Sequence, residues 1–163
     1  MSTLTNIQYT VGADVAINMS GLADGSKAVS DAIDNSTTRY QQADIGYKFK
    51  TNQHRIDKVN GTVIIGILRS ADGGVTYDTH LRPGNILAVI NDLDADTEYV
   101  LSVSTNGIGF LPSHWKISVR NSTGAPFFHK DEKFGVWFTG KKQLGVDSSA
   151  SMAMSMTGDW LRG

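Results

Sequence analysis

Apolar side chains recur at every second residue along much of this chain, and that period limits what it can fold into more than any other feature. "DVAINMS" puts Val15, Ile17 and Met19 on one face, and "ADIGYKFK" does the same with Ala43, Ile45, Tyr47 and Phe49. A pleated strand sends successive side chains to opposite faces, so each run buries one side and leaves the other to water. "GTVIIGILRS" is apolar on both faces, as a central buried strand is. "NILAVIND", "EYVLSVST", "HWKISVRN" and "FGVWFTG" follow, each rich in Val, Ile and aromatics. The helical period is absent, apart from a short helical turn expected near "SKAVSDAI".

Between the runs lie clusters of turn formers: "GLADGS", "DNSTT", "ADGG", "RPGN", "DLDAD" and "STGAP". Glycine supplies positive φ there, while Asn, Asp and Ser bond their own backbone. Short strands separated by such turns predict an all-β fold, an antiparallel β-sandwich of either jelly-roll or immunoglobulin-like topology. The sandwich is expected over residues 1–140. Residues 141–163 form a small, polar, Met-rich extension in which Met152, Met154 and Met156 alternate ahead of Trp160. An alternating Met strand adapts to irregular grooves. The expectation is an extended C-terminal arm that packs on its own domain or docks on a neighbour by strand addition.

At 163 residues the chain suffices for one well-buried domain. The net charge of -1 and the scattered basic residues give no footprint for nucleic acid. No stretch has the roughly 18 apolar residues of a membrane helix. With no cysteine, disulfides and thiolate metal sites are excluded. The N-terminal stretch lacks a basic region followed by an apolar core, which predicts synthesis in a cytoplasm without a secretory signal.

Three motifs compete for a role. "SADGGVTYD" fits the Asp-box S-x-D-x-G-x-T-aromatic through Ser70, Asp72, Gly74, Thr76 and Tyr77. It resembles the hairpin repeated on the blades of sialidase-type propellers. Here it occurs once, and its residue types are explained structurally: Asp72 accepts turn amides, Gly74 permits the bend, and Thr76 and Tyr77 pin the returning strand. "NDLDADTEY" starts like a calcium loop, but Thr97 stands where an EF-hand needs Gly and Val103 where it needs Glu. No metal is expected, with only a loose surface calcium site at Asp92 and Asp94 left open. The run Leu93, Thr97, Tyr99, Leu101, Val103 resembles the tyrosine corner of fibronectin type III domains, in which a Tyr hydroxyl bonds backwards across the sandwich. That family's early core Trp is missing, so the corner signals a sandwich only.

His54, His80, His114 and His129 are far apart in sequence and form no metal-binding spacing. There is no nucleophile elbow and no phosphate-cradling glycine loop. No enzymatic activity and no cofactor are expected. A carbohydrate-binding module is the alternative for a small sandwich, but Trp115 and Trp137 sit inside alternating runs and are expected in the core.

Four stretches in order resemble small all-β virion structural proteins of tailed bacteriophages. They are "SGLADGSKAVSDAIDNSTTRYQQADIGYKFKT", "GTVIIGILRSADGGVTYD", "ILAVINDLDADTEYVLSV" and "GFLPSHWKISVRNSTGAPF". They give an entry strand, the D-N-S-T-T-x-Y turn, the S-x-D-G-G-x-T-Y strand and an L-P-x-x-W strand ending in N-x-T-G. The match covers most of residues 20–127, and "FGVWFTG" stands where that group has a short aromatic strand. The Met-rich extension has no counterpart. The resemblance implies a non-catalytic capsid decoration (cement) subunit that stabilises the assembled head. A tail, baseplate or fibre component is its nearest rival. The implied partners are other virion proteins, a major capsid protein or tail proteins, with homo-oligomerisation, assembly in a host cytoplasm, and no nucleic acid or membrane contact.

Overall fold

The computed structural model describes residues 6–9, 12–129 and 134–144. Over these residues the chain forms β1 (Asn6–Tyr9), β2 (Ala13–Asp14), β3 (Lys27–Val29), β4 (Ile33–Asp34), β5 (Gln42–Lys50), β6 (Thr62–Arg69), β7 (Ile86–Ile90), β8 (Glu98–Ser104), β9 (His114–Ser122) and β10 (Gly135–Leu144). Two 3-10 turns, Pro83–Asn85 and Asn106–Ile108, are the helical elements among the described residues.

The strands form two antiparallel sheets packed face to face. The first sheet runs β1-β10-β5-β8, with β2 also on β10; the second runs β3-β9-β6-β7, with β4 also on β9. β1 pairs with Lys141 to Leu144 and β2 with Trp137 and Phe138, so the two short strands share one edge of β10. β3 and β4 share an edge of β9 in the same way. Counting each broken edge as one strand gives eight, nested first with eighth, second with seventh, third with sixth and fourth with fifth. That order is a jelly roll. An immunoglobulin-like sandwich would keep its first two strands in one sheet, whereas here β2 and β3 lie in different sheets.

Alternation built the core as expected. Ala43, Ile45, Tyr47 and Phe49 of β5 face Val63, Ile65 and Ile67 of β6 and Trp115, Ile117 and Val119 of β9, all essentially buried. Aromatic rings link the layers: Tyr99, Phe49, Phe127 and Phe134 stack in series with centroids 5.3 to 6.0 Å apart. Trp115 meets Phe138 edge-on at 5.7 Å. Such pairs add about 0.5–1.5 kcal/mol each beyond the area they bury.

Two buried asparagines tie the turns to this core. Asn121 donates to Leu22 O and Ala125 O, both at 2.8 Å, and accepts from the Thr123 amide at 3.0 Å and hydroxyl at 2.7 Å. Asn35 organises the D-N-S-T-T turn by accepting from the Tyr40 amide at 2.7 Å and the Thr38 hydroxyl at 2.9 Å while donating to Tyr40 O at 2.8 Å.

Several expectations need correction. The "SKAVSDAI" stretch is not a helical turn; it holds β3 and β4, whose backbone groups bond to β9. "DVAINMS" is strand only at its first residue, although Val15 and Ile17 still turn half inward and Met19 is buried. Trp137 is not a core residue. Val136 and Phe138 take the inward positions of β10, and Trp137 lies half-buried on the outer face, over its register partner Gly46. The final strand runs through Leu144. Met152, Met154, Met156 and Trp160 lie outside the described residues.

Gly46 is the one residue on β5 that leaves room for the Trp137 indole, because any Cβ there would enter the ring. Gly46→Val is expected to cost about 1–3 kcal/mol in urea unfolding, as overpacking does, and to red-shift tryptophan emission. Val59→Ala, at a position 86% exposed, should change stability by less than about 0.5 kcal/mol.

Candidate functional site

The two-faced apolar pattern of β6 has a structural cause. Val63, Ile65 and Ile67 point into the core, while Ile64, Gly66 and Leu68 point out, and Leu68 is nonetheless buried. The cover is the β6–β7 connection, residues 70–85, which folds back across the outer face of the second sheet. Leu81 sits so close over Gly66 that a Cβ there would stand 2.6 Å from the leucine side chain and 2.6 Å from Asn85 O.

The Asp-box starts this connection. Asp72 accepts from the Ser70 hydroxyl at 2.9 Å, the Val75 amide at 3.1 Å, the Thr76 amide at 2.8 Å and the Thr76 hydroxyl at 2.6 Å. Gly74 (φ 96°) returns its amide to the Ser70 hydroxyl at 2.8 Å. The Thr76 hydroxyl, followed by the Thr76 amide and Ser70, pulls the Asp72 carboxyl down to about 2. The box is a self-closed turn, and it is not a tight hairpin: no strand returns until Ile86. Thr76 pins Asp72 rather than a strand. The Tyr77 ring instead lies under the Lys116 ammonium, 4.4 Å from its centroid.

A second set of contacts clasps the loop ends. Asp78 exchanges two bonds with Arg69, taking its amide at 3.2 Å and giving its own at 2.9 Å. Arg69 also donates to Asn85 at 3.1 Å and to Ile108 O at 2.9 Å. Lys27, on β3, donates its ammonium to Thr79 O across the sheet. Between this loop and β3 remains a groove of about 490 Å³, bordered by Lys27, Arg120 and His80 and lined by Ile64, Leu81 and Ile86, with Ser118 among its walls. Sequence reading missed it. The available signals were the mid-strand Gly66 and the outward Ile64 and Leu68.

The tyrosine corner lies at the other end of the sandwich. The Tyr99 hydroxyl accepts the Asp94 amide at 2.7 Å, and Leu93 is buried. Thr51 locks the corner by donating to Asp94 O at 2.6 Å and accepting the Thr97 amide at 3.0 Å; Thr97 itself donates to Ala95 O at 2.8 Å. Asp92 and Asp96 hold positive φ values of 55° and 51°, which the short polar side chain tolerates. Lysines occupy the acidic run: Lys58 reaches Asp94 at 2.6 Å and Asp92 O at 3.2 Å, and Lys50 reaches Asp96 at 3.0 Å. The Asp94 bond raises the Lys58 pKa. Lys58 thus stands where a cation at Asp92 and Asp94 would bind, and no group of three or more His, Asp or Glu among the described residues could hold a metal.

Of the four histidines, His54 and His129 come together in the fold, lining one pocket with Asn52 and Phe128. His114 lies 3.4 Å from Asp34 and 3.0 Å from the Ser113 hydroxyl, tying β4 to β9, and Asp34 is held low by the Ser36 hydroxyl and amide. His80 meets the Thr79 hydroxyl at 2.9 Å. Compared with known protein families and with curated proteins, the chain matches none.

Two outcomes follow from these turns. Because the folded pKa of Asp72 is depressed, its contribution is complete above the ordinary value near 3.8 and is lost as pH falls towards about 2. The wild-type Tm should therefore fall more steeply between pH 4 and pH 2 than that of Asp72→Asn. Tyr99→Phe should cost about 1 kcal/mol in urea unfolding, the worth of one hydrogen bond.

Proposed function

We propose that this chain is a structural subunit of a tailed-bacteriophage virion, bound as a decoration subunit on the outside of the assembled capsid. The observation that carries the reading is one flank of the sandwich. There β7 and β8, the last strands of the two sheets, lie side by side with their outer main-chain edges unpaired among the described residues. Val89, beside Ile64 on the outer face of the second sheet, and Val100, beside Lys48 on the outer face of the first, stand 52% and 60% exposed on them. Open edges with apolar side chains are templates for contact with another chain.

Further support comes from the resemblance over residues 20–127. Its D-N-S-T-T and N-x-T-G pieces coincide with the turns knotted by Asn35 and Asn121. Jelly rolls are common in capsid proteins, though they also serve lectins, so the fold alone carries no function. Mechanistically, a subunit that binds only the assembled lattice stabilises that lattice by mass action. Many weak copies suffice through multivalency. Sugar stacking on tryptophan is disfavoured, because Trp115 is buried and Trp137 lies against Gly46.

On a virion gel the protein should scale with the major capsid protein; a few copies per particle would assign it to the tail, baseplate or fibre instead. Val89→Lys combined with Val100→Lys should leave the circular-dichroism spectrum unchanged and abolish incorporation into particles. Full incorporation of that double variant would overturn the flank as the contact surface.

A further inference from the structure

We infer that the groove on the outer face of the second sheet is a binding site for an acidic sugar residue, a pyranose carrying a carboxylate. The site is independent of the virion reading.

The lining determines the ligand chemistry. Lys27 and Arg120 are register partners on β3 and β9, so their charged ends rise together on one side of the groove. Lys27 gives one N–H to Thr79 O and keeps two more, and the Arg120 guanidinium has no partner among the described residues. Among the described residues no carboxylate lines the groove. An anion there meets a planar fork suited to bidentate carboxylate binding and an ammonium beside it.

Ser118 supplies a second, separate observation. It is fully buried, and its hydroxyl has no hydrogen-bond partner among the described residues. Its register partner on β6 is Gly66, which brings no side chain to satisfy it. A buried hydroxyl without a partner is costly and rare. Ser118 lies on the outward face of β9, between Lys116 and Arg120, and is part of the groove lining. A ligand hydroxyl would complete its bonding.

Opposite, Ile64, Leu81 and Ile86 form an apolar wall. A flat pyranose ring offers that combination: a carboxylate at one edge, hydroxyls around the rim and an apolar C–H face. The volume of about 490 Å³ lies within the usual range for small-ligand pockets. An extended peptide fits less well. The rim amides of Gly25 and Ser26 are already bonded, to Asn121 O at 2.7 Å and Ala23 O at 3.1 Å, so they cannot hold a peptide backbone.

The test is titration of the full chain with glucuronic acid and with N-acetylneuraminic acid, followed by NMR or calorimetry, with glucose and acetate as controls. At least one acid should bind saturably below about 10 mM, the weak end of specific recognition, and at least tenfold more tightly than glucose or acetate. Arg120→Ala should weaken it tenfold or more, and Ser118→Ala severalfold, with both variants keeping the wild-type circular-dichroism spectrum and Tm within a few degrees. If Arg120→Ala loses the fold, Arg120→Gln takes its place. Absence of saturation by either acid, equal binding of glucose or acetate, or affinity unchanged in the Arg120 variant would overturn the inference. So would tighter binding of an acidic peptide, titrated in parallel, than of either acidic sugar.

Discussion

Everything in the first sheet depends on the pairing of β10. This strand bonds β1 and β2 along one edge and β5 along the other, so without it only the β5–β8 pair of that sheet remains. Its inward residues, Val136 and Phe138, close the layer over Trp115 and the β6 isoleucines. The partners come from opposite ends of the chain. Joining them pays loop-closure entropy before the contact gives anything back, and sheets built this way fold slowly.

Once closed, the sandwich owes its fixed turns to polar groups as much as to the core. Asn121 makes four bonds to three residues, its amide hydrogens to Leu22 and Ala125 and its oxygen to Thr123 twice, inside a region from which water is excluded. A fully satisfied buried network of this kind tolerates few alternative arrangements. The same logic holds the corner, where Thr51 bridges two segments of the 94–97 turn. Polar side chains at the ends and alternating apolar rows in the middle are complementary: the rows set which face is inside, and Asn35 and Asn121 fix the turns that follow β4 and β9.

That division explains what could be read from the chain directly. The alternating rows of β5, β8 and β9 announce themselves because burial repeats at a period of two. The Asp-box is equally legible, since Asp72 takes all its partners from within four residues. Trp137 departs from the core for a reason that is not local: its position across from Gly46 exists only when β10 and β5 pair. β3 and β4 are three and two residues long, too short to show a period, and owe their form to the edge of β9 that they complete. The groove was hidden for the same cause. Its two cations become neighbours only through strand pairing with β3, and its apolar wall is delivered by a loop that sequence alone describes as turn formers.

The nested order has one more consequence. Asn6 and Leu144 are register partners, so the chain enters and leaves the sandwich at one corner, about 5 Å apart. A short linker there would close the polypeptide into a ring without disturbing any strand pair. The fold is thus suited to circular permutation, with Asn6 and Leu144 as the positions to be joined.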